Sequence, residues 1–410
     1  MKLNADFFKY NDMRNVFSKG VNHDPETSLP DTEALIKLYK HVFAKKPITS
    51  GDVFQNKRKG VSYTHYNEDL LEDFIAPPAH DTKAAINELI DVYAWAMNRD
   101  KKFTEIEGAP KDYISQFLLR DYSIGNQKYS NKVTEYKGNF LNDWDEFICV
   151  QNGQDPSGKI ETGPQKYIET PRDLASMVHK DKDQQYRAAF FMMKQLNIRM
   201  NPFLCEDLVN EKQIHPFIYK DAPIVCKMLA EITHESLMAG WACKWAFCAR
   251  IRPEAYGGLI EKDIGDKNAI DMFKEQMKDY YDLNKTWLLS TVYPEGSPLH
   301  PSYVAGHAIV ALASTTLLKS WFDPRAEMPI MEVINGELKE TDRVSTVGAE
   351  LDKLALNIAF GRNMAGIHYN SDFFGAIKCA TKLANKKLHE NGFYGITQSF
   401  NTELAYTSIK

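Results

Sequence analysis

"STVGAELDKLALNIAFGRNMAGIHYNSDFFGA" runs from Ser345 to Ala376, and its spacing decides the fold class. Leu351, Leu354, Ala355 and Ile358 recur at the interval of a helix with one apolar face. Arg362 lies eleven residues after Leu351 and continues that face. An arginine there calls for a buried anionic partner. Gly366 reads as the helix stop, His368 falls in the turn, and Ser371-Asp372 reads as the cap of the next helix. His368 is thereby aimed from a loop between two helices, a place suited to a ligand or a nucleophile.

Working outward, the same periodicity recurs. In "DTKAAINELIDVYAWAMNRD" (81–100), Ile86, Leu89, Ile90, Tyr93 and Met97 mark one helix face, with Asp81 as the expected N-cap. A further helix is expected from about Ala222 to Ile251, ended by Pro253 and the Gly257-Gly258 pair. "GHAIVALASTTLLKSWF" (306–322) reads as a largely apolar helix starting near Gly306, because Pro298 and Pro301 prevent an earlier start. Strand-like alternation is hard to find outside short stretches such as "RVSTV" (343–347). Breaker-rich segments at 74–81, 152–159 and 293–302 punctuate the chain without reading as interdomain linkers. The charged runs "KEQMKDYYDLNK" and "HKDKDQQYR" fit solvated helix faces, and no internal repeat is evident. The expectation is an all-α chain in one continuous body. It has an N-terminal helical part over 1–200 and a C-terminal part over 201–410 that carries the chemistry.

Bulk properties narrow the function classes. The 410 residues are 43% hydrophobic and 12% aromatic, enough for a sizeable core and unlike a disordered chain. A net charge of -5 gives no general attraction to nucleic acid or an anionic membrane, so any anion site must be local. No apolar run reaches the length of a membrane span. The start, "MKLNADFFKYNDMRNVF", lacks the apolar core and cleavage site of a signal peptide. A cytoplasmic protein or an already mature chain is therefore expected, with the compartment itself unknown. Six cysteines, at 149, 205, 226, 243, 248 and 379, form no Cys-x-x-Cys pair. They read as buried reduced thiols, not as a metal or redox centre.

Three segments carry the candidate chemistry. In "WACKWAFCARIRPEAYGG" (241–258), Lys244 and Arg252 are eight residues apart, about two helical turns, so they would face broadly the same side. Read alone, they are an ordinary snorkelling pair. In "YPEGSPLHPSYVAGHA" (293–308), the free N–H groups of a helix starting at Gly306 form an anion site, and His307 stands beside it. A structural histidine explains His307 equally well from this segment alone. The third segment is the opening one, with Arg362 and His368. Together these supply three strong cations, two histidines and a glycine N–H, a set suited to a tetrahedral oxyanion. One histidine could attack or ligate the central atom while the other moves protons. No competing cluster of carboxylates has metal-ligand spacing, and the distant glutamates and aspartates read as surface.

The order Lys…Arg-Pro, then Gly-His, then Arg…His resembles the signature shared by vanadium-dependent haloperoxidases and the type-2 phosphatidic acid phosphatase superfamily. "YPEGSPLHPSYVAGHA", "LNIAFGRNMAGIHYNSD" and the Lys-to-Arg interval are most similar to the bromoperoxidase branch of the haloperoxidases, over roughly 240–380. "YISQFLLRDYSIGNQKY" and "YAWAMNRDKKFTEI" resemble it more loosely. The resemblance implies a helical fold with two four-helix bundles. It implies vanadate(V) as cofactor, with His368 as the vanadium ligand. Lys244, Arg252, Arg362 and the N–H of Gly306 would hold the vanadate oxygens, and Lys244 would also polarise peroxide. His307 would be the acid–base group, with His300 and Trp241 near the halide. The implied partners are hydrogen peroxide, a halide and an organic nucleophile, with a homodimer or a larger homo-oligomer as the assembly. In the family, histidine at the position of His300 accompanies bromide oxidation, while Trp241 matches the chloroperoxidase side. Bromide and iodide are the expected halides. One departure stands out: Ala305 replaces the serine usual before Gly-His. Two other functions fit the residues, a soluble acid phosphatase with His368 as nucleophile and a non-catalytic oxyanion binder.

Overall fold

The structure is a computed structural model that describes residues 77–78, 82–107, 109–110, 112–179, 184–201 and 221–393. Asp81 and the N-terminal stretch discussed above lie outside the described residues. The first helix among the described residues, α1 (Lys83–Asn98), is capped by Thr82, whose hydroxyl accepts from Ala85 N. It buries Ile86, Leu89 and Tyr93 as its periodicity requires. Two hairpins follow, β1 (Tyr122–Ile124) with β2 (Gln127–Tyr129) and β3 (Val133–Lys137) with β4 (Glu161–Lys166). Helix α2 (Trp144–Gln151) is enclosed by the second hairpin, and α3 (Pro171–Met177) and α4 (Gln184–Gln195) come after it. Then come α5 (Ala222–Ala242), α6 (Pro253–Glu261), α7 (Lys267–Gln276) and α8 (Lys278–Asn284). The C-terminal half continues with α9 (Gly306–Trp321), the hairpin β5 (Glu327–Ile334) and β6 (Glu337–Thr346), and α10 (Val347–Met364). A short α11 (Ser371–Phe374) and α12 (Ile377–Glu390) close the described chain.

The body is helical, and among the described residues three antiparallel strand pairs are additions to the all-α expectation. One hairpin had a sequence signal. Asn335 and Gly336 both take positive φ, 53° and 78°, in the two-residue turn between β5 and β6. Asn-Gly is the pair that such a turn favours, because its twist matches the flanking strands. "RVSTV" falls at the end of β6, where Thr346 then caps α10 by accepting from Ala349 N.

Helix α9 sits at the centre, buried from His307 to Trp321, and packs against α5, α10 and α12. A helix buried on every side needs no polar stripe. Helix α10 is buried nearly throughout as well, including Glu350, Asp352 and Lys353. The expectation that acidic residues lie at the surface fails here for a physical reason. Asp352 pairs with Lys319 at 2.6 Å and Glu350 with Lys353 at 2.7 Å, so the buried charges answer one another. The largest apolar cluster draws on side chains from Phe103 to Leu388. Among the described residues no helix is long and apolar enough to cross a membrane.

The helix expected over 222–251 is the main departure. It ends at Ala242, passes through a wide π turn at Cys243–Phe247, and continues as extended chain. Pro253 does not end a helix but opens α6 at its first turn, where a missing N–H costs nothing. Gly257 and Gly258 lie inside α6.

Candidate active site

This break separates Lys244 from Arg252. They are not two turns apart on one helix; Lys244 stands in the π turn and Arg252 is the N-cap of α6. Extended chain nonetheless brings them to one place. Ser302 N donates to Arg250 O at 2.9 Å, laying residues 250–252 along residues 300–302. Lys244 is fully buried, and its Nζ donates to Pro301 O at 2.6 Å and Ser302 O at 2.8 Å. Burial and the neighbouring Arg252 hold its pKa well below the usual lysine value. Arg252 donates through Nε to His300 O at 3.0 Å and through Nη1 to Ile367 O at 2.9 Å. Its Nη1 also lies 2.8 Å from His368 Nε2, and its Nη2 lies 3.1 Å from His300 Nδ1.

His368 does fall in the turn after α10. Gly366 makes that turn with φ +90°, where an added Cβ would lie 2.9 Å from Ser290 O. Arg99, at the end of α1, fixes the same turn by donating to Met364 O at 2.9 Å and to Ser290 O at 2.6 Å. The imidazole is buried between two unlike partners. Its Nδ1 lies 2.7 Å from Asp372 Oδ2, while its Nε2 faces the Arg252 donor. A carboxylate accepts and a guanidinium only donates, so these partners assign the proton to Nδ1 and the lone pair to Nε2. Burial, then Arg252, holds the ring's pKa well below the usual histidine value, so it is neutral.

Asp372 is not the helix cap that its position suggested. Asn370 occupies the N-cap of α11 and makes no side-chain cap bond. Asp372 is fully buried and also accepts from Tyr369 N at 3.0 Å, Arg250 Nη1 at 3.1 Å and the Ser302 hydroxyl. Although burial opposes ionisation, His368 and Arg250 outweigh it and hold the carboxyl well below the usual range. Sequence reasoning missed Asp372, Arg250 and Ser302. The signal available was the four-residue His368-to-Asp372 interval, which places the two side chains within reach across a single turn.

Gly306 is the first residue of α9, and Ala305, at its N-cap, gives the first-turn N–H groups no side-chain oxygen. A Cβ on Gly306 would meet only Leu237, at an ordinary 3.5 Å, so packing does not demand glycine there. His307 is buried in the first turn. His300 Nδ1 lies between Arg252 Nη2 and Pro301 O at 3.2 Å, and its ring is 5.2 Å from that of Trp241. Burial, then Lys244 and Arg252, holds the His300 pKa well below the usual value. Arg362 is buried, but its partners are neutral oxygens: Val178 O at 3.1 Å, His179 O at 3.3 Å and Tyr293 Oη at 3.3 Å. Among the described residues no carboxylate hydrogen-bonds it, and its Nε–H is buried without an acceptor. Lys244, Arg252, His300 and His368 are joined by direct contacts or shared backbone; Arg362 reaches them through its carbonyl, which accepts from Ile367 N at 3.2 Å.

Of the cysteines, the five described are free thiols; Cys243 and Cys379 are buried and the other three half-buried. Among the described residues no group of three or more His, Cys, Asp or Glu could hold a metal ion.

No family profile matches the chain. A vanadium-dependent bromoperoxidase of Corallina officinalis is 33% identical over 298 residues, covering 64% of this chain and 49% of that protein. One from Ascophyllum nodosum is 29% identical over 324 residues, covering 70% and 56%. Over about two thirds of its length the chain is thus similar to vanadium-dependent bromoperoxidases. It spans about half the length of the Corallina relative. The homohexameric structure of the second vanadate-dependent bromoperoxidase of Ascophyllum nodosum superposes with a TM-score of 0.70 at 19% identity. That match covers 93% of this chain and 82% of the neighbour.

Proposed function

We propose that this chain oxidises bromide or iodide with hydrogen peroxide in a vanadate-holding pocket, yielding a hypohalous species that halogenates an organic nucleophile. The observation that carries the reading is His368. It is neutral, its proton is committed to Asp372, and its Nε2 lone pair is turned toward Arg252 beside buried Lys244. A ring nitrogen with a lone pair, backed by a carboxylate on the other nitrogen, is the arrangement metal-binding histidines adopt.

The residues fit an oxyanion. Lys244 rests on carbonyls, and the Nε–H of Arg362 is buried with no acceptor. Buried donors of this kind gain from a bound anion. Lys244, Arg252, Arg362 and the N–H of Gly306 would hold the oxygens, and His368 the metal. When bound, pentavalent vanadium supplies Lewis acidity toward peroxide without changing its own oxidation state. His307, at the start of α9, would accept and return a proton at its ring. His300 and Trp241 would frame the halide, and the depressed pKa values keep His300 and His368 neutral so that neither adds to the local positive charge. Bromide and iodide are the expected substrates, with chloride oxidised poorly.

The same kinship supports a homo-oligomer, as in the homohexameric neighbour. We read the fold as one integrated body with two four-helix bundles, one of them formed by α5, α9, α10 and α12. The test strips the protein of oxyanions and follows bromination of a phenolic dye by peroxide, with and without orthovanadate. Hydrolysis of p-nitrophenyl phosphate is measured beside it. Vanadate-dependent bromination supports the reading; phosphate-ester hydrolysis without bromination would favour a phosphatase.

A further inference from the structure

Behind the His368–Asp372 pair lies a second layer supplied by α1 and the extended chain at 248–252. Arg250 is buried and bridges two carboxylates, with Nη1 3.1 Å from Asp372 Oδ1 and Nη2 2.7 Å from Glu88 Oε2. Its guanidinium lies 3.8 Å over the Tyr369 ring, and Nη1 also donates to Ser371 Oγ at 2.6 Å. Glu88 in turn accepts from Ser371 N and Ser371 Oγ, both at 2.9 Å. Arg250 therefore contacts residues 369, 371 and 372, and Glu88 holds both Arg250 and Ser371. All three residues lie in the short segment that follows His368.

We propose that Arg250 and Glu88 are positioning residues for His368, fixing through Asp372 which ring nitrogen carries the proton and where the other points. Asp372 has two oxygens to orient. Oδ2 takes His368 Nδ1, Tyr369 N and the Ser302 hydroxyl, and Oδ1 is held by Arg250 alone among the contacts above. A planar guanidinium bound on two edges and stacked on a ring cannot pivot, so it sets the plane of the carboxylate. Glu88 fixes the far edge of that guanidinium and the backbone of the turn at once. The consequence for vanadate rests on the function proposed above; the consequence for the imidazole does not.

Charge alone and positioning make opposite forecasts for Glu88→Gln. Removing a negative charge near the pocket makes its potential more positive, which by charge alone tightens binding of an oxyanion. Loosening Arg250 disorders Asp372 and His368, which weakens it. Outer partners of metal-bound histidines typically matter by about tenfold to a hundredfold in affinity. The experiment uses the full chain with isotope-labelled histidine, stripped of vanadate, at mildly alkaline pH. Imidazole nitrogen signals are compared for wild type, Glu88→Gln and Arg250→Lys, with His368→Gln to assign the His368 resonances. Orthovanadate affinity is measured on the same samples.

The expected result is a wild-type ring protonated at Nδ1, a mixed or exchanging tautomer in both variants, and vanadate binding weakened by about tenfold or more. Glu88→Gln keeps the shape of the side chain and so carries the test if the arginine variant does not fold. An unchanged His368 signature in Glu88→Gln, or unchanged or tighter vanadate binding there, overturns the proposal. If wild type binds no vanadate yet the variants shift the tautomer, the positioning role stands and the haloperoxidase reading falls.

Discussion

Replacing Asp372 by asparagine probes the link on which the site depends. The carboxylate is fully buried and receives four donors: His368 Nδ1 at 2.7 Å, Tyr369 N at 3.0 Å, Arg250 at 3.1 Å and the Ser302 hydroxyl. Asparagine keeps the size but loses the charge and brings an NH2 that must face at least one existing donor. Removing one partner of a buried ion pair costs about 3–5 kcal/mol, a large part of a domain's usual stability of about 5–15 kcal/mol. The His368 proton also loses its acceptor, and vanadate affinity should fall by about tenfold to a hundredfold. The pH dependence has a definite sign. A carboxyl depressed on folding stabilises fully above its unfolded pKa of about 4, and that contribution is lost as pH falls through the folded value. The stability gap between wild type and Asp372→Asn should thus be constant from neutrality to about pH 4 and narrow only below it. Urea unfolding across that range, with a vanadate titration of the folded proteins, reads both effects. Equal unfolding midpoints and equal vanadate affinity would refute the argument.

Three further outcomes follow from the geometry. His300 and His368 are both held well below the usual histidine pKa, so the unfolded chain binds protons that the folded one refuses. Stability without bound oxyanion should fall as pH drops below about 6.5, with a slope of up to about 1.4 kcal/mol per pH unit for each ring, and His300→Phe should reduce that slope in urea titrations. Gly366→Ala places a Cβ against Ser290 O at a positive φ, and should cost about 1–3 kcal/mol by the same measurement. Ala305→Ser supplies the α9 cap with a hydroxyl, which should raise stability by about 1 kcal/mol and tighten vanadate binding by about tenfold to a hundredfold. Weaker binding in that variant would show a pocket shaped around alanine.

The elements that could be read from the sequence are those whose local pattern and buried partners agree. Helix α10 was legible because Leu351, Leu354, Ala355 and Ile358 really face the core, and α9 because Pro301 and Gly306 fix its start. The break at Cys243 was not, because nothing local forbids a helix through "ACKWAFCARI"; what ends it is Lys244 turning to the carbonyls of 301 and 302. That contact is nearly sixty residues away in sequence. Arg252 shares no helix face with Lys244, since one stands at the N-cap of α6 and the other in the π turn. Ser371-Asp372 has the form of a capping sequence, whereas the role of Asp372 depends on Arg250 and His368 converging on it in the fold. The Asn335-Gly336 turn carries a local signal, but the short strands beside it leave little periodicity next to long helices.

The proposal to be tested is that a neutral His368, buried beside Lys244 and Arg252, makes this chain a vanadate-dependent oxidant of bromide. Orthovanadate titrated into the stripped protein, with binding and bromide oxidation followed in the same samples for wild type and His368→Ala, tests it most directly. The account predicts no bromide oxidation before vanadate is added, activity that rises in step with a single saturable site, and loss of that activity in His368→Ala. Bromide oxidation at full rate in the stripped wild type, or an unimpaired His368→Ala protein, would contradict it.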